Sequence, residues 1–222
     1  MGRTKIDNVS NNGRRAQAGE ERRARTRSAI LAAGFDLLGK EPGTQLRVED
    51  IARAAKVTRA TFYNHFGGTA ELREAISYEL THDFLNRTIL TISKLENPAE
   101  RASCAIRFYL RRARSNPSWA KSLINISANG IIFGAETYRQ AEVTIMEGME
   151  AGQFKLRNSA LGRDLVLGTC LAAMSNMLHE KTPEDYPELI SGHVLSALGL
   201  PFDKARELAN LPLPELAELP RS

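Results

Sequence analysis

The run Thr58-Arg59-Ala60-Thr61-Phe62-Tyr63-Asn64-His65-Phe66 is the densest set of groups in the chain able to address another molecule. A guanidinium donates bidentately to guanine, a carboxamide pairs with adenine, and an alanine methyl meets the thymine methyl. Arg59, Ala60 and Asn64 are therefore candidate contacts to DNA bases. The hydroxyls of Thr61 and Tyr63 and the imidazole of His65 suit phosphate oxygens. Phe62 and Phe66 are four apart, so on a helix they share one face and point inward, leaving the polar residues outside. Arg59 as an ordinary solvated charge, and Tyr63 and His65 as half-buried aromatics, are the plainer alternatives.

Other chemistries find no such cluster. The chain has no Ser-His-Asp order, glycine-rich phosphate loop or HExxH run, so no enzyme activity is expected. His82, His179 and His193 have no cysteine or carboxylate at a metal-ligand interval, and neither a metal nor a cofactor is expected. Cys104 and Cys170 form no CxxC pair and build no disulfide framework; packed, reduced thiols in a cytoplasmic protein are the default. The charge-free stretches Ser122 to Ala135 and Leu165 to His179 fall short of the ~20 apolar residues that span a bilayer. The basic first thirty residues lack the apolar core of a signal peptide. No membrane partner is expected.

The net charge of +4 is unevenly spread. Residues 1–66 hold thirteen Lys/Arg against seven Asp/Glu, while residues 67–222 hold seventeen against nineteen. The basic excess lies wholly in the first third, as expected of a segment that meets a polyanion.

The elements that position these groups are helices throughout. Residues 1–20, rich in Asn, Gly, Gln and Arg, read as a disordered basic arm whose arginines either solubilise the chain or meet DNA. Apolar residues at helical spacing then predict helices at about 21–39, 47–55, 59–66 and 70–94. Further helices follow at about 99–115, 118–128, 131–150, 161–180, 187–199 and, weakly, 202–210. Thr58 and Thr69 stand where N-caps belong. No period-2 strand run occurs, so the fold class is all-α. Residues 211–222, with three prolines, read as an irregular tail. Two short helices within Val48 to Phe66, with Ala52, Ala55 and Val57 small enough for a close crossing, match a helix-turn-helix, whose second helix enters the major groove. The domains are thus a basic arm (1–20), a DNA-binding head (21–68), a helical body (69–210) and the tail (211–222).

Thr26-Arg27 with Ile30-Leu31-Ala32-Ala33, then Val48 and Asp50-Ile51-Ala52, then Val57 through Phe66, then Leu72, resemble the DNA-binding domain of the TetR-type transcriptional regulators. The Phe-Tyr-x-His-Phe element behind Asp-Ile-Ala is the specific part. The resemblance implies a homodimer on a palindromic, double-stranded DNA operator, released by a small-molecule effector bound in the body. It also implies that Arg59 and Ala60 face bases, that Thr58, Thr61, Tyr63 and His65 hold phosphates, and that Asn64 does either. Three positions depart from the family: Lys56 for a glycine, Arg47 for a capping threonine, and Thr69 for a phosphate-binding lysine. Arg47, Lys56 and the arm are expected to supply the missing charge.

The body is less informative. Phe108, Arg111, Trp119, Asn129, Phe133 and Met174 are candidates for an effector cavity, although the same residues suit a plain helical core. Arg107, Arg111 and Arg114, four and three apart, could receive an anionic or phenolic effector or simply form a solvated face. Gly168, Ala172, Ala173, Ser175 and Gly192 permit close helix approach, and Leu165, Ala172 and Leu195 are candidates for the dimer interface. A buried hairpin within one chain is the alternative. A repressor is the favoured reading. A non-specific architectural DNA binder and an all-helical enzyme without a recognised motif are the rivals.

Overall fold

The computed structural model describes residues 4–40, 45–128 and 132–219, with side chains from residue 17 onward. Among these residues every regular element is a helix: α1 (Thr4–Leu38), α2 (Val48–Ala54), α3 (Arg59–Tyr63), α4 (Thr69–Ile92), α5 (Pro98–Ser115), α6 (Pro117–Ser127), α7 (Gly134–Glu150), α8 (Ser159–His179), α9 (Tyr186–Ala197) and α10 (Phe202–Ala209). The breaks follow local chemistry. Asn97 and Asn116 each precede a proline at the first helical position, and their side-chain oxygens accept from free amides of α5 and α6. Asn158 caps α8 by accepting from the Leu161 amide.

Two apolar cores result. The head core joins Ile30 and Leu38 of α1, Ile51 of α2, Phe62 and Phe66, and Leu72 and Ile76 of α4. A five-residue helix such as α3 has too few turns to persist alone. Burial of Phe62 and Phe66 holds it in place. The body core surrounds α5, which packs against α7, α8, α9 and α10. α4 takes part in both cores: Leu72 and Ile76 complete the head, while Phe84 and Ile92 belong to the body. A boundary at 68/69 therefore marks where α4 starts, not where the head core ends. Asn125 of α6 adds a second tie by donating to the Leu38 carbonyl at the end of α1.

Two expectations need revision, and a third gains a detail. The basic segment expected to be disordered continues α1 back to Thr4. Its asparagines and glycines disfavour helix, but extending an existing helix bears no nucleation cost. Thr69 does not cap α4: Gly68 holds the cap position, and the Glu71 carboxylate accepts from the Gly67 amide at 2.6 Å. Residues 211–219 carry no helix, yet they are pinned down. Arg107 donates to the Leu211 carbonyl (2.7 Å), Arg87 to the Ala217 carbonyl (2.7 Å), and the Ala217 amide to Thr91 Oγ1 (2.8 Å). The turn expected at Glu41-Pro42-Gly43 lies outside the described residues.

Candidate nucleic-acid interface and ligand cavity

α3 is built so that its polar residues face outward. Thr58 Oγ1 accepts from the Thr61 amide at 3.0 Å and lies 2.8 Å from Thr61 Oγ1, capping the helix and pairing two candidate phosphate ligands. Phe62 is wholly buried and Phe66 nearly so, as their spacing predicts. Thr58, Arg59, Ala60, Tyr63 and Asn64 are exposed, and Thr61 and His65 are half-buried. The Tyr63 ring stands edge-on to Phe62 with centroids 5.5 Å apart, and the residue is 50% exposed. The Arg27 guanidinium lies 5.0 Å over the Phe66 ring, which sets α1 beside the end of this segment.

The flanking cations share this surface unevenly. Arg47 occupies the N-cap of α2 in extended backbone and makes no capping bond, which leaves its guanidinium exposed. Lys56 turns the chain between α2 and α3 with φ +56°, and the Val57 amide donates to the Ala52 carbonyl behind it. Thr69 is half-buried, and its hydroxyl accepts from Arg73 at 3.2 Å. Sequence reasoning missed one neighbour: Glu49 Oε1 of α2 lies 2.8 Å from Arg59 Nη1. An acid in a first helical turn reads as complementing the helix dipole. Its approach to Arg59 across the turn leaves no periodic signal.

The body contains a partly open cavity with about 60 Å³ of free space among α4, α5, α7 and α8. Leu85, Thr88, Ile89 and Ile92 form one wall, Ala102, Ala105, Ile106 and Tyr109 a second, and Thr137, Gln140, Ala141 and Thr144 a third. Phe133, Val166, Leu167 and Cys170 lie among the remaining wall residues. No charged side chain is among the residues that line it. Its accessible surface is almost wholly apolar, and the Tyr109 hydroxyl, on one of its lining residues, lies 3.2 Å from Thr137 Oγ1. Burial pushes the Tyr109 phenol well above its ordinary range, more than the bond to Thr137 lowers it, so the group stays neutral. Thr88 and Thr144 donate to the Phe84 and Gln140 carbonyls one turn back, which leaves oxygen lone pairs able to accept.

Of the candidate effector contacts, Phe133 alone lines this cavity among the described residues. It sits at φ +62°, an unusual backbone for a phenylalanine, with its ring edge-on to Tyr109 at 5.5 Å. Phe108 and Met174 are core residues, and Trp119 donates its indole N–H to the Leu80 carbonyl at 3.0 Å, tying α6 to α4. Asn129 lies outside the described residues. Arg111 is committed elsewhere: its guanidinium meets Glu188 Oε1 at 2.7 Å, beside Arg107 at 3.2 Å. Arg114 donates to the Glu184 and Pro183 carbonyls. The arginine row lines no part of the cavity: Arg111 and Arg114 are exposed, as on a solvated face, while Arg107 is buried. The row fastens α5 to α9 and to the segment before it. Tyr109, Thr137 and Thr144 carry a readable signal, since small or polar residues at i, i+3, i+4 and i+7 on an inward face leave room for a ligand.

The candidate dimer residues separate. Leu195 is fully buried in its own chain, packed within the body core, so it cannot face a partner. Gly192 likewise lies against Ala209 of α10. Ala172 is exposed, Leu165 is half-buried, and a side chain added at Gly168 would meet open space. Leu161 of α8 and Leu189 of α9, which sequence reasoning did not single out, are 48% and 46% exposed. No helix among the described residues is long and apolar enough to cross a membrane. Among them, no group of three or more His, Cys, Asp or Glu is placed to hold a metal ion.

A three-helix head that presents α3 outward, joined by one long helix to an α-helical body with an internal cavity, defines a two-domain helix-turn-helix protein. The family model for the Tetracyclin repressor-like C-terminal domain matches residues 97–211, and that for bacterial regulatory proteins of the tetR family matches residues 30–76. The chain belongs to the TetR family. Two uncharacterized HTH-type transcriptional regulators of Mycobacterium tuberculosis, strains CDC 1551 and H37Rv, are each 32% identical over 91 residues. That match spans 41% of this chain and 45% of each relative. Among solved structures, RolR in complex with resorcinol superposes with a TM-score of 0.64 at 21% identity, covering 89% of this chain and all of that one. RolR without ligand gives 0.68 at 21% identity, covering 86% of this chain and all of that one. The fatty acid degradation regulator FadR from Bacillus halodurans gives 0.55 at 19% identity, covering 78% and 93%. At these identities the likeness is one of fold.

Proposed function

We propose that the protein is a cytoplasmic, homodimeric transcriptional repressor that leaves its operator when a small neutral ligand fills the body cavity. Two copies of α3 enter successive major grooves of a palindromic duplex, with Arg59, Ala60 and Asn64 on base edges. Arg47, Lys56, Thr58, Thr61, Tyr63 and His65 hold phosphates, and the basic helix before the head adds charge. Thr69 is a weaker candidate, because its hydroxyl already accepts from Arg73. The exposed faces of α8 and α9, around Leu161, Leu165, Ala172 and Leu189, meet their copies in the partner.

One observation carries the regulatory part of this reading: the helix that walls the cavity also completes the head core. Ile76 and Ile89 of α4 are thirteen residues apart, about 20 Å along a helix. The free space of about 60 Å³ is smaller than the ~150 Å³ of an apolar cavity that takes benzene. Filling it with a ring-sized ligand therefore favours a conformer in which α4 or α7 has moved outward. The differential affinity of the two conformers is all that is needed to shift head spacing. The almost wholly apolar lining favours a neutral, mostly apolar ligand, and a hydroxyl on it meets the Tyr109–Thr137 pair only once the cavity has opened. An anion would face no charged partner there, and desolvating it unpaired is costly. The resorcinol named with RolR has this chemistry, whereas the stearoyl-CoA named with FadR from Bacillus subtilis is long and multiply charged.

A release assay tests the reading. The complex with a protected duplex from DNA flanking the protein's own gene is titrated with phenol, catechol, resorcinol and, separately, stearoyl-CoA. Release by at least one phenol, weakened about tenfold by Tyr109→Phe through loss of about 1.4 kcal/mol, is the expected outcome. Release by the thioester and by none of the phenols contradicts it.

A further inference from the structure

We infer that Glu49 is a specificity-determining residue that positions Arg59 for base reading, an inference that rests on α3 being the reading helix. Arg59 is the first residue of α3, where the unpaired amides of a helix N-terminus repel a cation. A guanidinium there, 62% exposed, would otherwise sample many rotamers and any phosphate within reach. The Glu49 carboxylate, 2.8 Å from Nη1, supplies the opposing charge from α2. The guanidinium is planar with its donors in a rigid fork, so holding Nη1 fixes where the Nε–Nη2 edge points. That edge keeps two N–H donors, the number a guanine O6/N7 pair requires. The neighbouring acid, Asp50, is already paired with Arg53 on its own helix, which leaves Glu49 as the carboxylate that serves Arg59. As an exposed ion pair the contact adds little to stability. Its effect lies in ordering a long side chain before DNA arrives, which reduces the entropy lost on binding. A carboxylate at this edge also disfavours indiscriminate approach to the phosphate backbone.

The inference separates from a structural role for Glu49 in the first turn of α2. Glu49→Asp keeps the charge that complements the helix dipole but is one methylene too short to reach Arg59. Glu49→Gln keeps the reach and removes the charge. The wild type, both variants, Arg59→Ala, and the Glu49→Gln/Arg59→Ala double variant are each used to select from a pool of randomised duplexes, and each is melted. The wild type is expected to enrich guanine at one position of each half-site. Both Glu49 variants lose that preference about tenfold, equivalent to about 1.4 kcal/mol, with other positions and the melting temperature unchanged. The double variant loses no more than Arg59→Ala alone. Undiminished guanine preference in Glu49→Gln, loss spread over all positions, or an additional loss in the double variant overturns the inference. A wild type that enriches nothing overturns the reading of α3 itself, and this inference with it, before any variant is compared.

Discussion

Lys56 holds a backbone angle, φ +56°, that an L-residue with a Cβ adopts at a cost. It stands where chain direction reverses between α2 and α3, and its side chain is exposed on the surface assigned to DNA. Lys56→Gly should therefore raise stability by about 1 kcal/mol, read from the melting transition. If Lys56 holds a phosphate, the same change should lower the salt dependence of DNA binding by about one charge. A less stable glycine variant would contradict the strain, and an unchanged slope would contradict the contact. The cysteines make the opposite point, that burial silences chemistry. Burial pushes the Cys170 thiol up to about 12 and Cys104 up to about 11, so neither forms appreciable thiolate near neutrality. Iodoacetamide should leave both unmodified in the native protein and alkylate both after denaturation. Rapid native labelling of either would place a reactive thiol in the body.

Between helices, the decisive contact is Glu188 of α9 against Arg107 and Arg111 of α5. Burial alone would raise the Glu188 carboxyl; the hydrogen bonds from Arg111 and Arg107 outweigh it and hold it below the ordinary glutamate range. A depressed carboxyl contributes stability that is fully present above the unfolded value of about 4.5 and is lost as pH falls through the lower folded value. Glu188→Gln should thus cost about 3 kcal/mol at neutral pH, mostly by leaving Arg107 buried without a counter-charge. It should also flatten the loss of stability between pH 4.5 and lower values; equal acid sensitivity in both proteins would contradict the assignment. The segment 211–219 is the other element-scale surprise, since its prolines announce an irregular path but not where it docks. Thr91→Val removes the oxygen that accepts from the Ala217 amide and should free that amide to exchange with solvent; unchanged protection would mean that this pin on α4 does not hold the segment.

Helix breaks were legible because Asn97-Pro98, Asn116-Pro117 and Gly67-Gly68 act locally. The inward face of α3 was legible because two aromatics four apart define it. Leu195 was misassigned for a reason no pattern removes. α9 carries apolar residues on both faces, with Val194 and Leu195 buried but Leu189 exposed, and only tertiary packing decides which face the chain covers itself. The cavity was partly hidden because ligand walls are made by what is small, such as Ala102 and Ala105, more than by the large residues that draw the eye.

At the scale of the molecule, α4 takes part in the cores of both head and body, and the outer faces of α8 and α9 are the surface proposed to meet a second copy. Ala172→Glu should place a charge in the middle of that face without touching the protomer core. Sedimentation is expected to show a monomer, with DNA affinity reduced because one head alone meets one half-site. An intact dimer would move the interface elsewhere. Beneath all of this lies the claim that α3 reads DNA sequence. Fluorescence anisotropy of the purified protein on DNA flanking its own gene, against a random duplex across a salt series, tests that claim most directly. The account predicts a preference of ~10³-fold or more that Arg59→Ala reduces by about 1–3 kcal/mol. Equal, steeply salt-dependent binding to both duplexes, unaffected by Arg59→Ala, would contradict it.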